Sequence, residues 1–543
     1  MGWLSVFVGL GCLSASELPV SEPPGVRSRM DRIFLHWKSS HGKPTILYTT
    51  NGAPPRRDDP ATLVWSKDLM VQQSTVLRAA MDWGGERTID VGAFTYLFPG
   101  DVVRQTGVGH SKTWGRTNGV DVLADYEMDP EIVTPGSRAA VEQALREIPT
   151  LCLTMDPRDW FDSKDGIYAN PRETGAAWER RVQVEYFPND TATGFRLVAG
   201  VRIQGGWNRR PEESPKHALR LIFRRRYGEG SLRYNLFDGG LDQFETLILR
   251  AGCNNTWLHW NGAERVRGDY LRDQWMRETY ASMGQLSARG RFVHLYLNGL
   301  YWGLYNLVER PSAPFVAAHL GGKPGDYDSR NGENILEGDD LPWKRLFELA
   351  NAGVTQQAEF ESIASLLDVD AFIDFMLLNL YGANGDWDRV SNWYAARNRK
   401  KSGKFIFMVW DGERTLESVE GNVLASDDDQ SPLRLFQKLR ASPEFRRRFG
   451  RRARTHLNAL GALSPSAAWS RYERWVMTLD GPMLAESARW GDYRRDVHPY
   501  KNGPYELYRR DEHWRREVHR LRTEYFPKRT EKLVQQLAEA GLY

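Results

Sequence analysis

Four short stretches place a polar residue where an apolar run or a turn could deliver it into a cleft. Lys216 opens the run Lys216-His217-Ala218-Leu219-Arg220, just after the glycine pair of Gly205-Gly206-Trp207. A lysine entering a buried strand can pair with phosphate oxygens; the plainer reading is a strand-edge lysine. Glu309 closes Tyr301-Trp302-Gly303-Leu304-Tyr305-Asn306-Leu307-Val308. There it either meets a basic group at a junction or forms a surface Glu–Arg pair of little weight. Asn384-Gly385-Asp386-Trp387-Asp388-Arg389-Val390-Ser391-Asn392 gathers carboxylates and then an asparagine. That composition suits a hydroxyl base beside a metal ligand, and it also suits an Asx-rich turn. Asp411 ends the run Phe405-Ile406-Phe407-Met408-Val409-Trp410, where a carboxylate is costly unless paired or metal-bound.

These residues need elements to hold them. Residues 45–50 are β-branched and aromatic and run into Asn51-Gly52, a turn signal. Short strand-like runs continue at 62–65, 75–80 and 92–97, which predicts a small β-sandwich over 30–98. "ILYTTNGAPP" and "TVLRAAMDWGG" resemble the small β-sandwich appended to chitobiases and many secreted bacterial proteins. Residues 99–146 have weak periodicity and a Gly-rich stretch (Gly107, Gly109, Gly115, Gly119), and read as a linker wrapped on the next domain. Further strands are expected at 150–154, 182–186, 197–203 and 218–223. Two apolar runs joined by Asn298-Gly299 predict a hairpin with a type I′ turn. The period then changes. Helices are expected at 342–350 and at 369–380, the second capped by Asp368 with Phe372, Ile373, Met376, Leu377 and Leu380 on one face. A strand is expected at 404–409. The rest is mostly helical, ending at 528–540 before Gly541. A strand-rich half followed by a helix-rich half outlines a two-lobed α+β fold.

Placed on these elements, Lys216, Glu309, the Asp386/Asp388…Asn392 loop and Asp411 follow the order used by protein kinases: phosphate lysine, its glutamate, catalytic loop, metal-binding aspartate. Mg²⁺ favours few carboxylates plus phosphate oxygens, and Asn392 with Asp411 supplies that.

Residues from about 147 to 543 resemble the spore-coat protein H (CotH) family of atypical protein kinases. The residues that carry the likeness are "VRIQGGWNRRPEESPKHALRLIFRRRYG", "FVHLYLNGLYWGLYNLVERP", "GDWDRVSNWYAAR" and "FIFMVWDGERTL". The C-terminal "RWGDYR" and "YFPKRTEKLVQQLAEAGLY" are similar to the long form found in exported multi-module bacterial proteins. The resemblance implies an atypical protein-kinase-like fold, ATP with Mg²⁺ or Mn²⁺, and transfer of the γ-phosphoryl group to a protein Ser/Thr hydroxyl. It implies that Lys216 holds the phosphates and that Glu309 orients Lys216 or faces the nucleotide. Asp386 or Asp388 would be the base, and Asn392 and Asp411 metal ligands. Glu413 stands where many relatives have Asp, which makes it a second candidate ligand. The chain departs from the ordinary kinase pattern in two respects. It has no Gly-x-Gly-x-x-Gly loop, so phosphate cover must come from elsewhere. Its aspartate-to-asparagine spacing is six or four residues instead of five. Asp386 is favoured because Asn384-Gly385 can aim it, whereas Arg389 can pair with Asp388.

Composition bounds the alternatives. The chain has 543 residues, 41% hydrophobic and 26% charged, with a net charge of +3 and 3 cysteines. This is globular composition with no disulfide framework and no strong field toward nucleic acid. No phosphate-loop, zincin or nucleophile-elbow signature occurs. No run is long enough for a membrane span. Residues 3–13, followed by Ser14-Ala15-Ser16, have the length of a signal-peptide apolar region without the preceding positive charge. The expected organisation is a signal segment and linker at 1–29, a sandwich at 30–98, a linker at 99–146 and a kinase-like unit at 147–543, secreted or held at the envelope. Two alternatives share all these residues. One is a non-catalytic scaffold using the sandwich and 20 tryptophans to hold a polymer or partner; the other is a kinase fold modifying a sugar or other small hydroxyl.

Overall fold

The computed structural model describes residues 16–17, 23–27, 31–33, 38–39, 43–66, 69–84, 88–189, 192–387, 390–400, 403–498 and 502–543. The apolar segment 3–13 and Asp388 lie outside them. The chain is α+β, with strands dominating its first half and helices its second.

Three strands centre the first unit: β1 (Thr45–Thr49), β2 (Thr75–Asp82) and β3 (Thr88–Leu97). They form a five-stranded sheet with Gly25–Val26 outside β3 and Leu63–Val64 outside β1. A separate pair, Asp31–Ile33 with Leu69–Val71, shares its core through Ile33 and Val71, packed with Ile46, Leu77 and Phe94. Residues 99–146 hold more structure than a linker. They contain the hairpin Thr113–Thr117/Val120–Leu123 and the helix Arg138–Ala144. Trp114 packs among Tyr168, Trp302 and Trp490. Val102, Val103, Met128, Ile132, Val141 and Leu145 pack against Tyr296, Tyr301, Ala485 and Ala488, at spacings too scattered along the sequence to announce an element.

Seven strands close into a barrel in the order β4 (Thr150–Thr154), β5 (Arg180–Phe187), β6 (Phe195–Gln204), β7 (Ala218–Ile222), β8 (Thr246–Arg250), β10 (Leu300–Glu309), β9 (Gly290–Leu297). Alternate residues fill it, among them Leu219, Leu221, Leu247, Leu249 and Leu307, as a period-2 pattern requires. Asn298 and Gly299 join β9 to β10 with φ of 47° and 83°, the pair of positive values that a type I′ turn demands. The first unit leans on β5: the Gln183 amide exchanges hydrogen bonds with both backbone groups of Ala93, and Glu185 accepts from Thr95 Oγ1 at 2.5 Å.

A second sheet has the order β12 (Asn334–Glu337), β11 (Tyr327–Asn331), β13 (Trp393–Asn398), β14 (Ile406–Val409). The barrel's outer face meets it along a seam where Ile248 and Val308 pack with Tyr394, Met408 and Trp410. Around it lie α1 (Arg272–Ser282), α2 (Val369–Gly382), α3 (Pro443–Leu457), α4 (Pro465–Leu479), α5 (Pro482–Trp490) and α6 (Phe526–Glu539). Asp368 caps α2 by accepting from Ala371 N, a contact typically worth ~1 kcal/mol. Instead of showing one apolar stripe, α2 is buried almost all round. Its Asp374 is paired with Arg452 and hydrogen-bonded to His456 of α3. Among the described residues no helix is long and apolar enough to cross a membrane.

Candidate functional site

Asp411 and Asn392 leave neighbouring strand ends. β13 and β14 pair antiparallel, Trp393 opposite Val409, so Asn392 precedes one strand where Trp410 and Asp411 follow the other. Both have left-handed backbones, φ 71° at Asn392 and 60° at Asp411. Ala383 and Leu416, nearby in the same two loops, have φ of 47° and 59°. Non-glycine residues held there cost about 1–3 kcal/mol each, and such strain collects at functional sites. Asn392 Nδ2 donates to the Asp386 carbonyl at 2.6 Å, Asp386 N donates to Asn384 Oδ1 at 3.1 Å, and Gly385 N donates to the Arg414 carbonyl at 3.2 Å. The Asp386 loop is therefore tied both to Asn392 and to the segment after Asp411. The Asp386 side chain is exposed.

A cluster unseen in the sequence organises the other wall. Arg250, the last residue of β8, places one guanidinium nitrogen 2.5 Å from Asp411 Oδ1 and 2.7 Å from Glu413 Oε1. Its Nε lies 3.2 Å from Asp273 Oδ2. Burial pulls the Arg250 pKa down, but these three carboxylates outweigh it and hold the group well above its ordinary value. Asp273, on α1, also accepts from Gly412 N at 3.0 Å and from Arg277 at 3.0 Å. Glu413 is buried, and its second oxygen accepts from Cys253 N and Asn254 N at 3.0 and 2.8 Å. Burial, then the charge of Asp411, pushes its carboxyl up to about 7. Glu413 thus anchors the 250–254 segment, while Asp411 is the more open carboxylate, its side chain 32% exposed.

Lys216 is sealed. Its Nζ lies 2.6 Å from Glu486 Oε1 and 2.8 Å from the Leu304 carbonyl, with side-chain exposures of 1% and 0% for the pair. Burial draws its pKa below the lysine range, opposed by Glu486. Glu486 Oε2 accepts from Leu304 N at 2.7 Å. The approach requires Gly303: its φ is 109°, and a Cβ there would stand 2.6 Å from Glu486 Oε2 and 2.7 Å from Trp490 Nε1. A small pocket is lined by Arg250, Tyr270, Asp273, Leu304 and Glu413, and Leu304 is also the residue whose backbone meets the Lys216–Glu486 pair.

Glu309 does not orient Lys216. It takes a bidentate bond from Arg289, accepts from the Arg289 N–H, and meets His319 at 3.2 Å. Burial raises its pKa, but His319 and Arg289 lower it more, leaving it below the ordinary value. The physical reason is direction: Leu247 lies opposite Glu309 at the far end of β8 from Arg250, while the lysine pair meets β10 at Leu304. The partner of Lys216 comes instead from α5, 270 positions away. Sequence reasoning missed Arg250, Asp273 and Glu486. Arg250 ends the apolar run Leu247-Ile248-Leu249, the signal that singled out Asp411. Glu486 offers only a carboxylate amid Met483, Leu484, Ala485 and Ala488.

Oxygen donors from Asp411, Glu413 and Asn392 have the hardness that Mg²⁺ or Mn²⁺ prefers. A cationic nitrogen already bridges the first two, so the space between them accepts positive charge. Among the described residues no three His, Cys, Asp or Glu side chains are gathered to hold a metal ion. A divalent ion here would rest on the carboxylates of Asp411 and Glu413 and the oxygens of its ligand.

The fold and site define an α+β protein with a small pocket between a β-barrel, the helix α1 and the loop that carries Glu413. The family model described as CotH kinase protein matches residues 201–533, more than half of the chain, and the chain belongs to that family. No curated protein matches it.

Proposed function

We propose that the chain is an ATP-dependent phosphotransferase acting on a protein Ser/Thr hydroxyl. The observation that supports this reading is that Asn392 and Asp411, both with left-handed backbones, flank the same end of one strand pair, with the Asp386 backbone carbonyl accepting from Asn392 Nδ2. Asp386 is exposed where an acceptor hydroxyl can reach it, and accepts that hydroxyl's proton as the γ-phosphoryl group departs from ATP. Asp388 is the other candidate for this role. Asp411 and Asn392 would hold Mg²⁺ or Mn²⁺, with Glu413 beside them; a bound divalent cation neutralises charge on the phosphate oxygens. Arg250 already supplies fixed positive charge at that point. Lys216, locked to Glu486, fixes the pocket wall at Leu304 and reaches phosphate only if that pair opens.

A second reading, a non-catalytic scaffold at a surface or envelope, is favoured by that seal and by the three donors that occupy Glu413. Phosphoryl transfer from γ-labelled ATP separates the two. The first reading expects incorporation that requires divalent metal and disappears in Asp411→Asn; the second expects none in wild type.

A further inference from the structure

We propose that Arg220 and Arg310 form a receiving site for a phosphate-bearing ligand on the barrel's outer face, beside the seam with the second sheet. Arg220 lies opposite Ile248 and Ile248 opposite Val308, so Arg220, Ile248 and Val308 form one row across three strands. Their inward neighbours Leu219, Leu247, Leu249 and Leu307 fill the barrel, which turns this row outward. Ile248 and Val308 are covered by Tyr394 and Trp410; Arg220 stands at the margin of that cover. Arg310 comes directly after Glu309 on the same edge.

Neither guanidinium has an anionic partner among the described residues. Arg220 donates from Nε to the neutral side-chain amide oxygen Gln204 Oε1 at 2.7 Å. Arg310 Nε is buried with no hydrogen-bond partner. Both residues are partly exposed, so a ligand can reach them. The nearby Arg209 has only carbonyl acceptors, at Gly205, Pro171, Glu173 and Ile203. Burial, then the charge of Arg310, brings Arg220 down to about 10, with Arg202 and Arg209 adding to the repulsion. Of these four, Arg202 alone has a carboxylate, Glu179. Planar forked donors crowded together without a counter-anion match phosphate oxygens in geometry and charge.

Binding at these arginines stands apart from phosphoryl transfer, so each can fail alone. Calorimetry on the full chain with tripolyphosphate, ATP and adenosine tests it in wild type, Arg220→Gln and Arg310→Gln, with melting curves to verify folding and Arg220→Lys as a charge-keeping variant. Each Gln variant is expected to weaken tripolyphosphate about tenfold or more, the scale of a lost charge-assisted hydrogen bond, leave adenosine unchanged, and be partly rescued by lysine. ATP weakening in parallel identifies the nucleotide as the source of the phosphate. ATP unchanged while tripolyphosphate weakens identifies a separate phosphorylated ligand. Tripolyphosphate that fails to bind wild type, or binds both Gln variants equally well, overturns the proposal.

Discussion

Truncating Glu486 to alanine should destabilise the chain by about 3–5 kcal/mol, the penalty for leaving one partner of a buried ion pair alone. The structure gives that range its basis. Lys216 Nζ has two acceptors, Glu486 Oε1 and the Leu304 carbonyl, and the pair is 1% and 0% exposed. Without the carboxylate the ammonium keeps one neutral acceptor, the Leu304 carbonyl, and Leu304 N loses its side-chain acceptor. Replacing both partners, Lys216→Met with Glu486→Gln, removes the stranded charge and leaves an amide oxygen for Leu304 N. The double variant should lie within about 2 kcal/mol of wild type, because exchanging a whole buried pair is commonly near neutral. Urea midpoints followed by tryptophan fluorescence measure the loss, and hydrogen exchange across Leu300–Glu309 localises it to β10. A Glu486→Ala variant within about 1 kcal/mol of wild type, or a double variant as unstable as the two single losses added, would refute the buried-pair reasoning.

The same geometry carries three further expected outcomes. Gly303→Ala should cost several kcal/mol, about 1–3 of them from the left-handed backbone, and should mimic Glu486→Ala in hydrogen exchange; normal exchange at β10 would contradict this. Burial pushes the Glu185 carboxyl up to about 7, with Thr95 and Arg196 opposing, so the folded chain keeps a proton that the unfolded chain releases from about pH 4. That contribution is full below the unfolded value and is lost as pH rises through the folded value of about 7, at up to about 1.4 kcal/mol per unit. Glu185→Gln should therefore flatten the fall in melting temperature between about pH 4 and pH 7, and an unchanged slope would count against it. Deleting residues 1–98 should preserve ATP binding while lowering the melting temperature, since Gln183 and Glu185 lose Ala93 and Thr95; a chain that no longer folds would make the first β unit part of the barrel's core.

Where local chemistry decides the structure, the sequence was readable. Asn298-Gly299, the Asp368 cap and the period-2 runs of β4–β7 each depend on neighbours a few residues away. The strand β8 and the helix α1 were not read. β8 is a short apolar run with no turn signal, and α1 buries Arg272, Asp273 and Arg277, so its inward face looks polar and no apolar stripe marks it. The site divides in the same way. Asp386, Asn392 and Asp411 sit within 26 positions on two adjoining loops and carry their own motif. Arg250, Asp273 and Glu486 come together only through closure of the barrel and docking of α1 and α5. Order along the chain does not fix who meets whom, so Glu309 does not orient Lys216; β10 instead sends Leu304 to the lysine and Glu309 to Arg289.

The central claim is tested most directly by phosphoryl transfer from γ-labelled ATP to a generic protein acceptor and to the chain itself, with Mg²⁺ or Mn²⁺ and with chelator, in wild type, Asp386→Asn, Asp388→Asn and Asp411→Asn. Wild type is expected to show metal-dependent incorporation. Asp411→Asn should lose it, and Asp386→Asn should fall by about 10²–10⁴-fold, the usual contribution of a positioned base, with folding intact in each. The larger fall in Asp388→Asn would move the base two residues along and leave the claim standing. Absence of incorporation in wild type with either metal, or transfer unchanged in Asp411→Asn, would contradict it.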